Sequence, residues 1–211
     1  MFRKLSFLTF ALFILLFESA PSSAQVPPPE DVLGFEVGAD YHLATYEQAV
    51  QYYRILDESS PMMKVFEMGE TSTGKTMIYA VITSEENMAD LDRYKEISGR
   101  LARAKGLDDG EARRLASEGK AVVWIDAGIH ATECAPPQAL IQFAHDLLTS
   151  SDVDTRLILD NVIVLLVFAN PDGMTLVSEW YTPNVGTPYE TSPMPWLYHH
   201  YAGHDNNATP T

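Results

Sequence analysis

The run Ala121-Val-Val-Trp-Ile-Asp-Ala, followed at once by Gly128-Ile-His-Ala-Thr-Glu-Cys-Ala-Pro-Pro, constrains the fold of this chain more than any other segment. Residues 122–127 are largely apolar without strict alternation, the pattern of a strand buried on both faces of a sheet, and residues 162–168 repeat it. Between them, Pro136 and Pro137 stand where a helix can open, because a proline at the first helical position loses no intrahelical hydrogen bond. Ala139, Leu140, Phe143, Leu147 and Leu148 then make one apolar stripe. Strand, helix, strand predicts a parallel pair joined by a crossover. The predicted class is α/β, a mixed and mostly parallel twisted sheet with helices on both faces.

In open sheets of this kind, sites gather beyond the carboxyl ends of the strands, which is where His130 and Glu133 fall. An imidazole nitrogen and a carboxylate oxygen are ordinary Zn²⁺ ligands at roughly 2.0–2.2 Å, and a catalytic zinc takes three protein ligands and a water. The pair therefore predicts half of a metal site, and the same donors suit Co²⁺ or Mn²⁺. The two prolines bias Ala135 and Pro136 away from helical geometry, leaving His130 and Glu133 on a turn.

Elsewhere, Thr45 before Tyr46-Glu47-Gln48 and the spacing Val50, Tyr53, Leu56 predict a capped helix ending near Ser59-Ser60-Pro61. Residues 63–68 and 77–83 read as two strands. The stretch 85–105, apolar at Met88, Leu91, Tyr94 and Leu101, predicts a surface helix interrupted at Gly99. Between the two strands, residues 69–76 (GETSTGKT) match the phosphate-binding P-loop pattern letter for letter. That pattern works only between a strand and a helix, and the run Met77-Ile-Tyr-Ala-Val-Ile-Thr that follows is strand-like, so Gly74 is expected to turn a hairpin instead. A P-loop nucleotide-binding protein is kept as the remote alternative.

The first residues have the layout of a secretory signal peptide: Arg3 and Lys4, an apolar stretch over 5–17, and small residues ending at Ala24. The apolar stretch falls short of the ~20 residues a spanning helix needs, so no stable membrane anchor is expected after cleavage. Residues 1–24 are assigned to the signal, 25–40 to an extended segment carrying Pro27-Pro28-Pro29, and 41–211 to one domain. The protein is expected to be secreted or periplasmic. A formal charge of −15 argues against nucleic acid as a partner. Cys134 is the sole cysteine, so stability has to come from packing rather than from an intramolecular disulfide.

Three ordered motifs make the chain resemble the zinc carboxypeptidase family, in particular its exported bacterial branch. They are His130-Ala-Thr-Glu133 after one strand, Asn170-Pro-Asp-Gly173 after the next, and Gly203-His-Asp-Asn-Asn207 near the end. The resemblance runs from about Tyr41 to Asn207. It implies that His130 and Glu133 are two of three ligands of a Zn²⁺ that activates water against a carboxyl-terminal peptide bond. By the same resemblance Asp205 hydrogen-bonds a ligand histidine, and Asn207 helps to hold the terminal carboxylate of a peptide substrate. The family's next residue is an arginine that grips that carboxylate, and here it is Ala208. The remaining ligand and the general-base glutamate lie farther along in the family. His199, His200 and His204 are read as solvated loop residues, and Glu179 and Glu190 have no family counterpart. The expectation is a domain incomplete at the C-terminus and inactive by itself. The alternative is a non-catalytic exported binding domain with the same fold, favoured by Ala208.

Overall fold

The computed structural model describes residues 26–194. In chain order its elements begin with α1 (Pro29–Leu33), α2 (Tyr46–Ser59), β1 (Met63–Glu70), β2 (Thr76–Ile82), α3 (Glu85–Ala89), α4 (Leu91–Arg103) and α5 (Asp109–Glu118). They continue with β3 (Ala121–Ala127), α6 (Ala135–Thr149), α7 (Val153–Asn161), β4 (Val162–Phe168) and α8 (Pro171–Tyr181).

The strands form one sheet in the order β1-β2-β4-β3. β1 and β2 are an antiparallel hairpin, β2 runs antiparallel to β4, and β3 and β4 are the expected parallel pair, in register from Ala121 opposite Val162 to Ala127 opposite Phe168. The sheet is mixed, as predicted, and its parallel part among the described residues is that one pair. Alternation along β2 and β4 sends Ile78, Ala80, Ile82, Val164, Leu166 and Phe168 into the main core against Tyr53, Leu56, Ile141 and Ala144 of α2 and α6. Val81, Ile163 and Val167 point from the opposite face and are also buried.

Helix α2 starts as its sequence dictates. Thr45 accepts a hydrogen bond from Gln48 N while the Gln48 side chain accepts from Thr45 N, a reciprocal cap that satisfies two otherwise orphaned donors. Its three buried tyrosines each find a partner for the hydroxyl, which a buried phenol requires. Tyr46 donates to Thr76 O at 2.8 Å and accepts from Ile78 N, Tyr53 donates to Leu140 O at 2.9 Å, and Tyr52 donates to Pro27 O at 2.9 Å. The last of these ties down residues 25–40, predicted to be extended. That segment instead carries α1, with a proline at its first position and Leu33 buried in the core.

Other expectations are corrected in position. The helical stretch after Ser84 breaks at Asp90, not at Gly99, which sits inside α4. Glycine within a helix costs only about 1 kcal/mol relative to alanine. Asn87 anchors α3 separately, its Nδ2 lying within hydrogen-bond distance of Leu159 O, Asp160 O and Thr83 Oγ1, which share its two hydrogens. On α6, Ala139 and Phe143 of the predicted stripe are exposed, and the buried face runs through Pro137, Gln138, Leu140, Ile141, Ala144, Leu147 and Leu148. Ala135, expected to avoid helical geometry, is the first residue of α6. Prolines at the next two positions are harmless there because the first four N–H groups of a helix are unbonded anyway. β3 departs most from expectation. Val122, Val123 and Trp124 are 49%, 41% and 54% exposed, because β3 has a strand neighbour on one side only among the described residues.

Candidate metal centre

Where β3 ends, Gly128 takes φ +72°, a left-handed conformation open to glycine, and a Cβ there would meet the Pro137 ring at 3.0–3.3 Å. The chain then folds into a tight turn closed by Glu133 N donating to His130 O at 3.2 Å. This turn brings the two predicted ligands together. His130 Nδ1 and Glu133 Oε1 lie 3.2 Å apart, with side chains 20% and 57% exposed. Two ligands at about 2.1 Å from a tetrahedral ion stand roughly 3.4 Å apart, a separation close to the one seen here, although the two atoms here face each other as an ion pair.

The described residues contain no cluster of three His, Cys, Asp or Glu side chains that could hold a metal. Burial pushes the Cys134 thiol up, and its Sγ donates to Thr132 O at 3.5 Å. His42 bonds to Asp40 O at the surface, and His145 Nδ1 is buried 3.5 Å from Asp146 on α6. Neither belongs to the turn. Asp205, Asn207, Ala208 and the three histidines His199, His200 and His204 lie outside the described residues. Glu190, which had no family counterpart, accepts from Gly186 N in a surface loop.

The Asn170-Pro-Asp-Gly173 motif, the second of those that carry the resemblance, opens α8. Asn170 Oδ1 accepts from Gly173 N at 2.9 Å, and Pro171 takes the first helical position. An asparagine before a proline is the sequence signal that marks such a start. Gly173 is forced by packing: a Cβ would lie 2.7 Å from the Ala131 Cβ and 2.6 Å from Asn170 Nδ2. Ala131, at the centre of the His130–Glu133 turn, is buried beneath it.

The P-loop-like letters do something else altogether. They span the β1–β2 hairpin, with Thr71 N donating to Lys75 O and Gly74 at φ +84°, and a strand follows at Thr76, so no helix faces a phosphate. Thr71, Ser72 and Thr73 hydroxyls and Thr73 N all donate to the Asp172 carboxylate at the start of α8. Burial raises the Asp172 pKa, but these donors outweigh it and hold the carboxyl below its usual range. Lys75 pairs with Glu47. The nucleotide-binding reading is thereby removed.

A broad groove of about 1320 Å³ opens beside the turn, lined by Tyr41, Thr132, Cys134, Phe143, Trp180 and Tyr181 among others. Its wall is mostly apolar and includes Ala139 and Phe143, the two α6 stripe positions that miss the core. His130 and Glu133 do not line it.

Residues 50–196 match the model of the zinc carboxypeptidase family, and the chain belongs to that family. Among solved structures, thrombin activatable fibrinolysis inhibitor superposes with a TM-score of 0.46 at 13% identity, covering 73% of this chain and 31% of that one. Carboxypeptidase A from Helicoverpa armigera gives a TM-score of 0.43 at 18% identity, covering 77% of this chain and 33% of that one. The chain thus spans about a third of the length of these proteins. No curated protein matches the chain in sequence.

Proposed function

We propose that this chain provides His130 and Glu133 as two protein ligands of a catalytic zinc in an exported carboxypeptidase acting on peptides from the carboxyl end. The observation that carries the reading is the 3.2 Å approach of Nδ1 to Oε1 at the carboxyl end of β3, in a chain of the zinc carboxypeptidase family. When bound, the ion supplies Lewis-acid polarisation of a carbonyl and a water of lowered pKa. The chain's own part is to aim the two donors. The closed turn sets their separation, Gly128 sets the exit of the strand, and α8 supports the turn from beneath. The third ligand comes from outside the described residues. Asp205 is proposed to orient a ligand histidine, and Asn207 to contact the substrate carboxylate. Export is supported by the layout of residues 1–24, and the charge of −15 disfavours nucleic acid. No helix among the described residues is long and apolar enough to cross a membrane.

The test is zinc uptake by the chain without residues 1–24, measured by metal analysis and titration, together with hydrolysis of a blocked dipeptide. Two ligands predict weak uptake and no turnover, and His130→Ala should abolish the uptake. Uptake unchanged in His130→Ala would refute the metal assignment. Stoichiometric zinc with turnover would mean that a histidine in 195–211 completes the site.

A further inference from the structure

The carboxamide of Asn170 joins two segments that stand 41 residues apart in sequence. Its Oδ1 caps α8 through Gly173 N at 2.9 Å, while its Nδ2 donates to Ile129 O at 3.1 Å, the carbonyl of the peptide that leads into His130. The two bonds fix which way the amide faces, since a backbone carbonyl can only accept and a backbone N–H can only donate. The same first turn of α8 presses on the ligand turn by packing, for Gly173 leaves no space for a Cβ above Ala131. A third bond, Ala169 N to Ala127 O at 2.9 Å, continues the β3–β4 ladder just past the strands and locks the two exits side by side.

We propose that Asn170 is a positioning residue for the His130–Glu133 pair, acting through the Ile129 carbonyl. The inference rests on the reading of that pair as metal ligands. Helix capping alone needs only an acceptor, which serine, threonine or aspartate supplies as well as asparagine. What asparagine adds is a donor aimed at the opposite segment. Without that donor the Ile129–His130 peptide loses its tether to α8, and the spacing of the two ligand atoms is no longer held by it. Groups that hydrogen-bond a metal-ligating side chain directly are typically worth 10 to 100-fold in metal affinity, and Asn170, which acts through the backbone, is expected at the lower end of that range.

Asn170→Asp separates the two roles, because aspartate still caps Gly173 N but cannot donate to Ile129 O. The experiment titrates Zn²⁺ into the chain and into this variant, following the backbone amide resonances of residues 128–134, which are present in every variant and report weak as well as tight binding. Thermal unfolding is measured on the same samples. The expected result is a melting temperature close to that of the unaltered chain with Zn²⁺ affinity lowered roughly 10-fold. Asn170→Gln, which keeps the donor on a longer arm, should recover part of the loss. Equal Zn²⁺ affinity in the chain and in Asn170→Asp overturns the proposal, and so does a loss of affinity matched by a general loss of fold. His130→Ala run in parallel separates the two readings. If its titration equals that of the unaltered chain, the metal assignment itself fails and the role of Asn170 fails with it; if it alone loses Zn²⁺, only the role of Asn170 falls.

Discussion

Replacing Gln138 by methionine should unsettle the domain far more than its place on a helix suggests. Gln138 is 7% exposed, and its side chain makes both ends of a paired contact with Ala44, which is fully buried. Oε1 accepts from Ala44 N at 2.8 Å and Nε2 donates to Ala44 O at 3.0 Å, across 94 residues of sequence. Methionine fills similar space but offers neither a donor nor a comparable acceptor. Two backbone groups would be left without partners in the interior, each costing about 1–3 kcal/mol, so the expected loss is roughly 2–6 kcal/mol. For a domain of this size 1 kcal/mol moves the melting temperature by about 2–4 °C, which predicts a fall on the order of 4–24 °C. Circular dichroism during a thermal scan measures it directly. Gln142→Met is the control, since Gln142 bonds only Asp146 on the same helix and should change stability by less than about 0.5 kcal/mol. Equal melting temperatures for the two variants would refute the claim that Gln138 closes the core around Ala44.

Gly173→Ala should destabilise by about 1–3 kcal/mol through overpacking against Ala131 and Asn170, and a thermal scan that leaves the melting point unmoved would show that the contact relaxes freely. The depressed Asp172 pKa makes a pH prediction. A carboxyl whose folded pKa lies below its unfolded value contributes stability above the unfolded pKa and loses it as pH falls through the folded one. Urea midpoints measured across the acidic range should therefore fall less steeply in Asp172→Asn than in the unaltered chain, and parallel curves would deny Asp172 its four donors. Thr45→Ala removes half of the reciprocal cap on α2 and should cost about 1 kcal/mol, read as a lower urea midpoint with unchanged slope.

Local signals in the sequence located much of this fold. The cap at Thr45, the hairpin turn at Gly74 and the apolar run of β4 each involve a few neighbouring residues, and the structure has all three where their chemistry puts them. The helices α5 and α7 gave weaker signals, being short and mostly charged or exposed, and were not anticipated. On α6 Leu140, Leu147 and Leu148 of the stripe are buried as expected and Ala139 and Phe143 are not, because Gln138 looks polar in sequence and is buried in the fold, while Phe143 looks like core and lines the groove. β3 differs from its sequence pattern too. Its apolar residues express a tendency to be buried, and whether they are depends on which strands lie alongside.

For the candidate site, the sequence by itself determined the donor types, their spacing of three and their place after a strand. It could not set the distance between them, nor the amide that links their turn to α8. Those depend on contacts between β3, β4 and α8, segments brought together by strand pairing and not by adjacency along the chain. A periodic pattern is written in neighbouring residues, whereas the 3.2 Å approach of His130 to Glu133 is set by a closed turn resting on a helix that begins some 40 residues later, and only tertiary packing fixes that arrangement.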